Sequence, residues 1–213
     1  QPGNDTRPLT DYELASRLSF FLWSSIPDEA LLADAKAGRL HQPEVMAAQV
    51  KRMLASPRSE TLTTNFAFEW LNVARLDEIT PDPRIFPYAS GQSDVRQDFK
   101  EELRYFIDSV FRTNSNVLDL LSSNKTYLNE KLALHYGITT VKGDQFQPVT
   151  LTQSARFGLL GKGAVLMLTS YPDRTAPVLR GAWILEKLSG TPPGTPPPNV
   201  GNLPEKVEGK KNP

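Results

Sequence analysis

Apolar residues recur at helical rather than alternating spacing along most of the chain, which predicts a mainly all-α protein. Thr10-Asp-Tyr-Glu13 has the form of a capping box, and Leu14, Leu18, Phe21 and Leu22 behind it share a face. Phe20 and Trp23 widen that face, so the first helix is expected to be buried on two sides. Pro27 suits the first turn of a second helix stopped at Gly38, and Pro43 opens a third with Met46, Val50, Met53 and Leu54 inward. Ser56-Pro57 signals a fourth, whose stripe is Leu62, Phe66, Trp70 and Val73. Short joints between the four imply antiparallel neighbours.

Three prolines and a glycine between Thr80 and Gly91 mark a loop, after which Ser93 is placed to cap the longest helix. Val95, Phe99, Leu103, Phe106, Ile107 and Val110 give that helix its apolar stripe. A short turn at Val117–Leu121 and a helix from Asn129 to Tyr136 follow, with Gly137 as a left-handed stop. Beyond it the texture changes. Phe146–Leu151 reads as the one persuasive strand, Gly158, Gly161 and Gly163 interrupt the chain, and a last helix spans Pro177–Leu188. The expected organisation is an arm at 1–9, a helical bundle at 10–137, a smaller irregular module at 138–190 and a proline-rich extended tail at 191–213.

Composition removes several functions. The 24 basic and 24 acidic side chains cancel without a basic block, so nucleic acid is not an expected partner. The absence of cysteine rules out disulfides, thiolate metal sites, a cysteine nucleophile and the C-x-x-C-H attachment of c-type haem. No apolar run approaches the ~20 residues of a membrane span. No charged-then-apolar segment opens the chain, so a signal peptide is expected to be absent or already removed.

The remaining chemistry is sparse. With only His41 and His135, far apart in sequence, no metal site is expected. His135 lies near a helix C-terminus, where the helix dipole favours an imidazolium; its functional alternatives are a haem axial ligand or a general base. Adjacent acids such as Glu101-Glu102 diverge on a helix and read as solvated faces. Neither a G-x-S-x-G elbow nor a phosphate-binding loop is present, and close backbone packing is the expected use of Gly158, Gly161 and Gly163.

One stretch, Thr169-Ser-Tyr-Pro-Asp-Arg-Thr-Ala-Pro-Val-Leu-Arg-Gly181, gathers hydroxyls, an aspartate and two arginines before a helix. Structurally, Asp173 or Thr175 would cap the Pro177 helix and Arg174 would pair with a carboxylate. Functionally, Tyr171, Asp173, Arg174 and Arg180 would form an anion or carboxylate clamp at a helix start.

That stretch also carries a resemblance. The run from Leu9 to Asp28, Phe66-Ala-Phe-Glu-Trp-Leu71 and Thr126–Gly137 resemble an uncharacterised helical module of planctomycete-type cytochrome proteins. Thr169–Gly181, Trp183-Ile-Leu-Glu-Lys-Leu188 and the following Gly-Thr-Pro-Pro run resemble the module that usually follows it. The resemblance implies a large exported bacterial protein, periplasmic or extracellular, that is redox-linked through c-type haem in a neighbouring domain. No cofactor is expected in this chain itself, whose sequence stops before any C-x-x-C-H. The first reading is a non-catalytic scaffold that docks such a haem-bearing domain. The alternative is an enzyme or binding module for an anionic or polysaccharide substrate at residues 169–181, so whether a reaction is catalysed stays open.

Overall fold

The computed structural model describes residues 7–86, 94–113 and 115–194, and it is mainly helical with a single two-stranded sheet among those residues. The capping box forms as expected: Thr10 Oγ1 accepts from the Glu13 amide while the Glu13 carboxylate accepts from the Thr10 amide. It starts α1 (Asp11–Trp23), which packs with α2 (Glu29–Lys36) and α3 (Pro43–Ala55) around Leu22, Trp23, Leu31, Leu40 and Met53. Trp23 Nε1 donates to the Met53 carbonyl at 2.9 Å, so its one polar group is satisfied inside this core. Asp28 caps α2 by accepting from the Leu31 amide, which places Pro27 before the cap rather than in the first turn.

Two inward assignments on these helices fail. Phe20 and Phe21 are exposed, because the buried face of α1 runs through Ala15, Ser19, Leu22 and Trp23. The segment after Ser56 is not one α-helix. It begins as a 3₁₀ turn (Pro57–Ser59), widens into a π-helix (Leu62–Ala67) and tightens into α4 (Phe68–Leu71). The wider π winding shifts the phase of every later residue. Leu62, Thr63, Ala67 and Leu71 therefore face inward, while Phe66 is exposed and Trp70 is half-buried.

The larger core is built on α5 (Val95–Arg112), whose Phe99, Leu103, Phe106, Ile107 and Val110 follow the expected stripe. Asp94 caps this helix by accepting from the Arg96 amide; Ser93 lies outside the described residues, as do 195–213 of the tail. After α6 (Asp119–Ser122), β1 (Lys125–Leu128) pairs antiparallel with β2 (Gln147–Thr150). β2 is the expected strand. β1 carries no strand signal in the sequence, because Thr126-Tyr-Leu128 is too short to show alternation before Asn129 caps α7 (Glu130–His135). Gly137 then takes the left-handed conformation at φ +75°. Val141, Leu159, Ala164 and Met167 join the same core, so residues on both sides of Gly137 share it.

The chain closes with α8 (Gly163–Leu168) and α9 (Pro177–Lys187). α8 is largely buried, whereas α9 has no fully buried residue and lies on the surface with Trp183 turned toward the large core. The Trp70 indole secures α9 by donating to the Lys187 carbonyl at 2.5 Å. No described helix is long and apolar enough to cross a membrane.

Candidate functional site

The glycines after Thr152 shape one wall of a cleft. A Cβ at Gly158 would lie 2.2 Å from the Leu121 carbonyl oxygen, and one at Gly161 would lie 2.2 Å from the Arg156 carbonyl carbon. Gly158 also has φ +58°. These glycines serve the close backbone packing expected of them, and Gly161 lets the turn carrying Arg156 fold tightly onto the start of α8. A Cβ at Gly163 would strike the Phe99 ring at 2.2 Å and the Tyr136 hydroxyl at 2.5 Å. Only a glycine there lets α8 approach α5 and α7.

Beneath that contact lies a buried polar network. Glu102 is 1% exposed, which corrects its reading as part of a solvated face. It accepts from the Thr126 hydroxyl at 2.6 Å, the Tyr136 hydroxyl at 2.6 Å and the Gly163 amide at 3.3 Å. Burial raises the Glu102 carboxyl above its ordinary range, opposed by the charge of Lys162 and by these donors. Lys162 is fully buried, donates to the Lys125 carbonyl at 3.0 Å and sits over the Phe106 ring. Burial lowers its ammonium to about 8, with Glu102 acting in the opposite direction. The Tyr136 phenol is pushed well above its usual value by burial and by Glu102, so it stays protonated and donates to the carboxylate.

Above this floor opens a cleft of about 280 Å³. Ile79, Pro81, Phe86, Phe99, Leu166 and Met167 make its apolar lining, and His135, Tyr136, Arg156, Ser170, Tyr171 and Arg180 add polar atoms. The His135 ring lies 5.6 Å from both Phe86 and Phe99, and 5.8 Å from Tyr136. Although part of the imidazole remains open to solvent, burial among these rings and then the charge of Arg156 lower its pKa. Both effects oppose the imidazolium that a helix C-terminus favours.

The 169–181 stretch is a hairpin at 170–175 that runs into the first turns of α9. Ser170 and Thr175 form a β-bridge, and the Tyr171 amide donates to the Arg174 carbonyl at 2.9 Å. The Pro172 carbonyl accepts from the Asp82 amide at 3.2 Å, tying the hairpin to the opposite wall of the cleft. Neither Asp173 nor Thr175 caps α9: its N-cap is Ala176, without a side-chain bond, and Pro177 occupies the first turn. Arg174 lies over the Tyr171 ring, 4.8 Å from its centroid, and meets no carboxylate among the described residues. Asp173 sits at the exposed tip, where its charge acts on Arg84. The hairpin thus brings Tyr171 into the cleft beside His135, α9 brings Arg180, and Asp173 and Arg174 stay outside its lining.

Two half-buried arginines define the electrostatics. Arg180 Nε donates to Thr169 Oγ1 at 3.2 Å and its Nη2 to Ser170 Oγ at 3.4 Å. The Arg156 guanidinium lies 4.2 Å from the centroid of the Tyr136 ring. Among the described residues neither has a carboxylate within 4.0 Å, and no aspartate or glutamate lines the cleft. Arg156, Tyr136 and Phe99 carry no sequence signal of a site: Arg156 stands in a polar loop, and the two aromatics read as ordinary helix residues. No group of three or more His, Cys, Asp or Glu that could hold a metal ion occurs among the described residues.

Fold and cleft together define a helical module with a ligand-sized, apolar, cationic cleft. The chain belongs to the PSD4 family, a protein of unknown function (DUF1592), which it matches over residues 9–138. Residues 156–212 are similar to the PSCyt3 family, also of unknown function (DUF1588). Phe86, Phe99 and Tyr136 around His135, with Glu102 and Thr126 of the floor, therefore fall in the first match, and Lys162, Gly163 and both cleft arginines in the second. Neither a curated protein nor a solved structure matches the chain.

Proposed function

We propose that this chain is a non-catalytic binding module that takes an anionic ligand in the cleft between α7, α8, the 170–175 hairpin and the start of α9. The observation that carries this reading is the pair Arg156 and Arg180, half-buried at an apolar cleft with no carboxylate among the described residues within 4.0 Å of either. Partly desolvating a guanidinium is costly unless an anion answers it, and an external anion is the partner this geometry accepts. A non-catalytic role is supported by the neighbouring hydroxyls. The Tyr136 hydroxyl is committed to Glu102, and those of Thr169 and Ser170 receive Arg180. The setting that the family resemblance suggests is an exported multidomain protein whose c-type haem resides in a neighbouring domain.

Thermal denaturation with sulfate, phosphate, acetate and uronate oligomers tests the proposal, since a ligand that binds only the native state raises the midpoint. The parent should be stabilised by at least one anion, and Arg156→Gln and Arg180→Gln should lose that shift. An equal shift in both variants would sink the reading.

A docking scaffold is the second reading, favoured by α9. Val178 is 68% exposed, and Leu179 and Leu185 are also exposed on the same surface helix. An apolar helix face exposed among the described residues suits a contact with a neighbouring domain.

A further inference from the structure

The lining of the cleft restricts which anion fits. Phe86, Phe99, His135 and Tyr136 present ring faces and edges to one space, with Phe99 and Tyr136 nearly parallel at 16° and centroids 6.2 Å apart. An apolar cavity of about 150 Å³ is enough to take benzene. A cleft of about 280 Å³ has room for a ring and a short charged arm.

The arginines set the charge. The Arg156 guanidinium sits over the face of Tyr136, 4.2 Å from the ring centroid. A guanidinium held by its face keeps its N–H donors in the plane, aimed sideways, where a carboxylate matches them two at a time. Arg180 spends two donors on Thr169 and Ser170, which fixes its position and leaves others to share the anion. Phosphate sites are usually built from clustered backbone amides. Here the nearest helix starts offer few: Pro177 has no amide proton, and the Gly163 amide is taken by Tyr136 and Glu102. A sugar chain would bring many hydroxyls against apolar walls that cannot answer them.

Resting on the anion-binding reading above, we infer that the ligand of this cleft is a small arene carboxylate, its ring among Phe86, Phe99, His135 and Tyr136 and its carboxylate between Arg156 and Arg180. Nothing covalent is required of the protein.

Titration calorimetry of the full chain with benzoate, phenylacetate, octanoate, acetate, sulfate and neutral benzamide tests the assignment. Benzoate or phenylacetate should bind about tenfold or more tightly than each of the other four, and Arg156→Gln should reduce that affinity by about tenfold or more. Thermal melts of the variant alongside the parent establish that it is folded. Octanoate binding as tightly as the aryl acids would overturn the choice of an arene. Acetate or sulfate binding as tightly would overturn the ligand class while leaving anion binding intact. Benzamide matching benzoate, or no heat from any compound at millimolar concentration, would defeat the anion reading as well.

Discussion

Arg96 and Arg104 on α5, and Arg156 and Arg180 at the cleft, are all half-buried, yet they keep opposite company. Arg96 bonds Asp94 through Nε and Nη2 at 2.7–3.0 Å, and Arg104 meets Glu101 at 2.6 Å and Glu60 at 3.0 Å. The cleft pair meets hydroxyls and an aromatic ring instead. A chain of zero net charge can therefore still concentrate unanswered positive charge at one place. The pairs on α5 are completed within the fold, and among the described residues those at the cleft are not.

The comparison is sharpest where a buried charge has only internal partners. Lys162→Met would leave the Glu102 carboxylate buried without its nearby cation, and we expect a loss of about 3–5 kcal/mol in chemical denaturation. A change below about 1 kcal/mol would mean that Thr126, Tyr136 and Gly163 suffice for Glu102, and that this network resembles the cleft more than α5. Arg104→Gln should cost about 2 kcal/mol, less than the Lys162 change because Glu60 and Glu101 are half exposed and screened by solvent. Arg156→Gln and Arg180→Gln should each cost under about 1 kcal/mol, since no carboxylate is left behind. If either cleft variant loses as much as Arg104→Gln, the contrast between the two pairs is false.

Much of the scaffold behind this contrast is legible in the residues. The capping box of α1, the stripe of α5, the stop at Gly137, the bounds of α9 and the close packing of the three glycines all follow from local rules. Phe66 is misplaced by such rules because a π-helix resets their period, and nothing in Leu62–Ala67 announces that winding. Glu102 could have been found: it lies three residues after Phe99 and four before Phe106, on the inner stripe of its own helix. Its charge argued for solvent, and long-range partners from β1, α7 and α8 overruled it. The cleft itself was only half legible. His135, Tyr171 and Arg180 were marked by their chemistry, while Arg156 becomes significant only when Gly161 folds its turn onto α8 beside Tyr136.

The smallest expected effect concerns His135, which connects the two kinds of charge. Burial among Phe86, Phe99 and Tyr136, and then Arg156, hold its folded pKa below the ordinary value. The native state thus binds fewer protons than the unfolded chain between the two values. The neutral imidazole's contribution is complete above the ordinary pKa, and it is lost as pH falls from there toward the lowered one. Because part of the ring meets solvent, the loss should stay under about 1 kcal/mol. A carboxylate bound between the arginines would oppose this trend, since an anion nearby favours the imidazolium and is favoured by it in turn. Denaturation midpoints at about pH 7.5 and about pH 5.5, with and without benzoate, should show the parent losing more stability on acidification than His135→Gln. Benzoate should narrow that difference, and His41, common to both chains, cancels from it. Identical pH dependence in parent and variant would remove His135 from the electrostatics of the cleft and leave Arg156 and Arg180 to set it among the described residues.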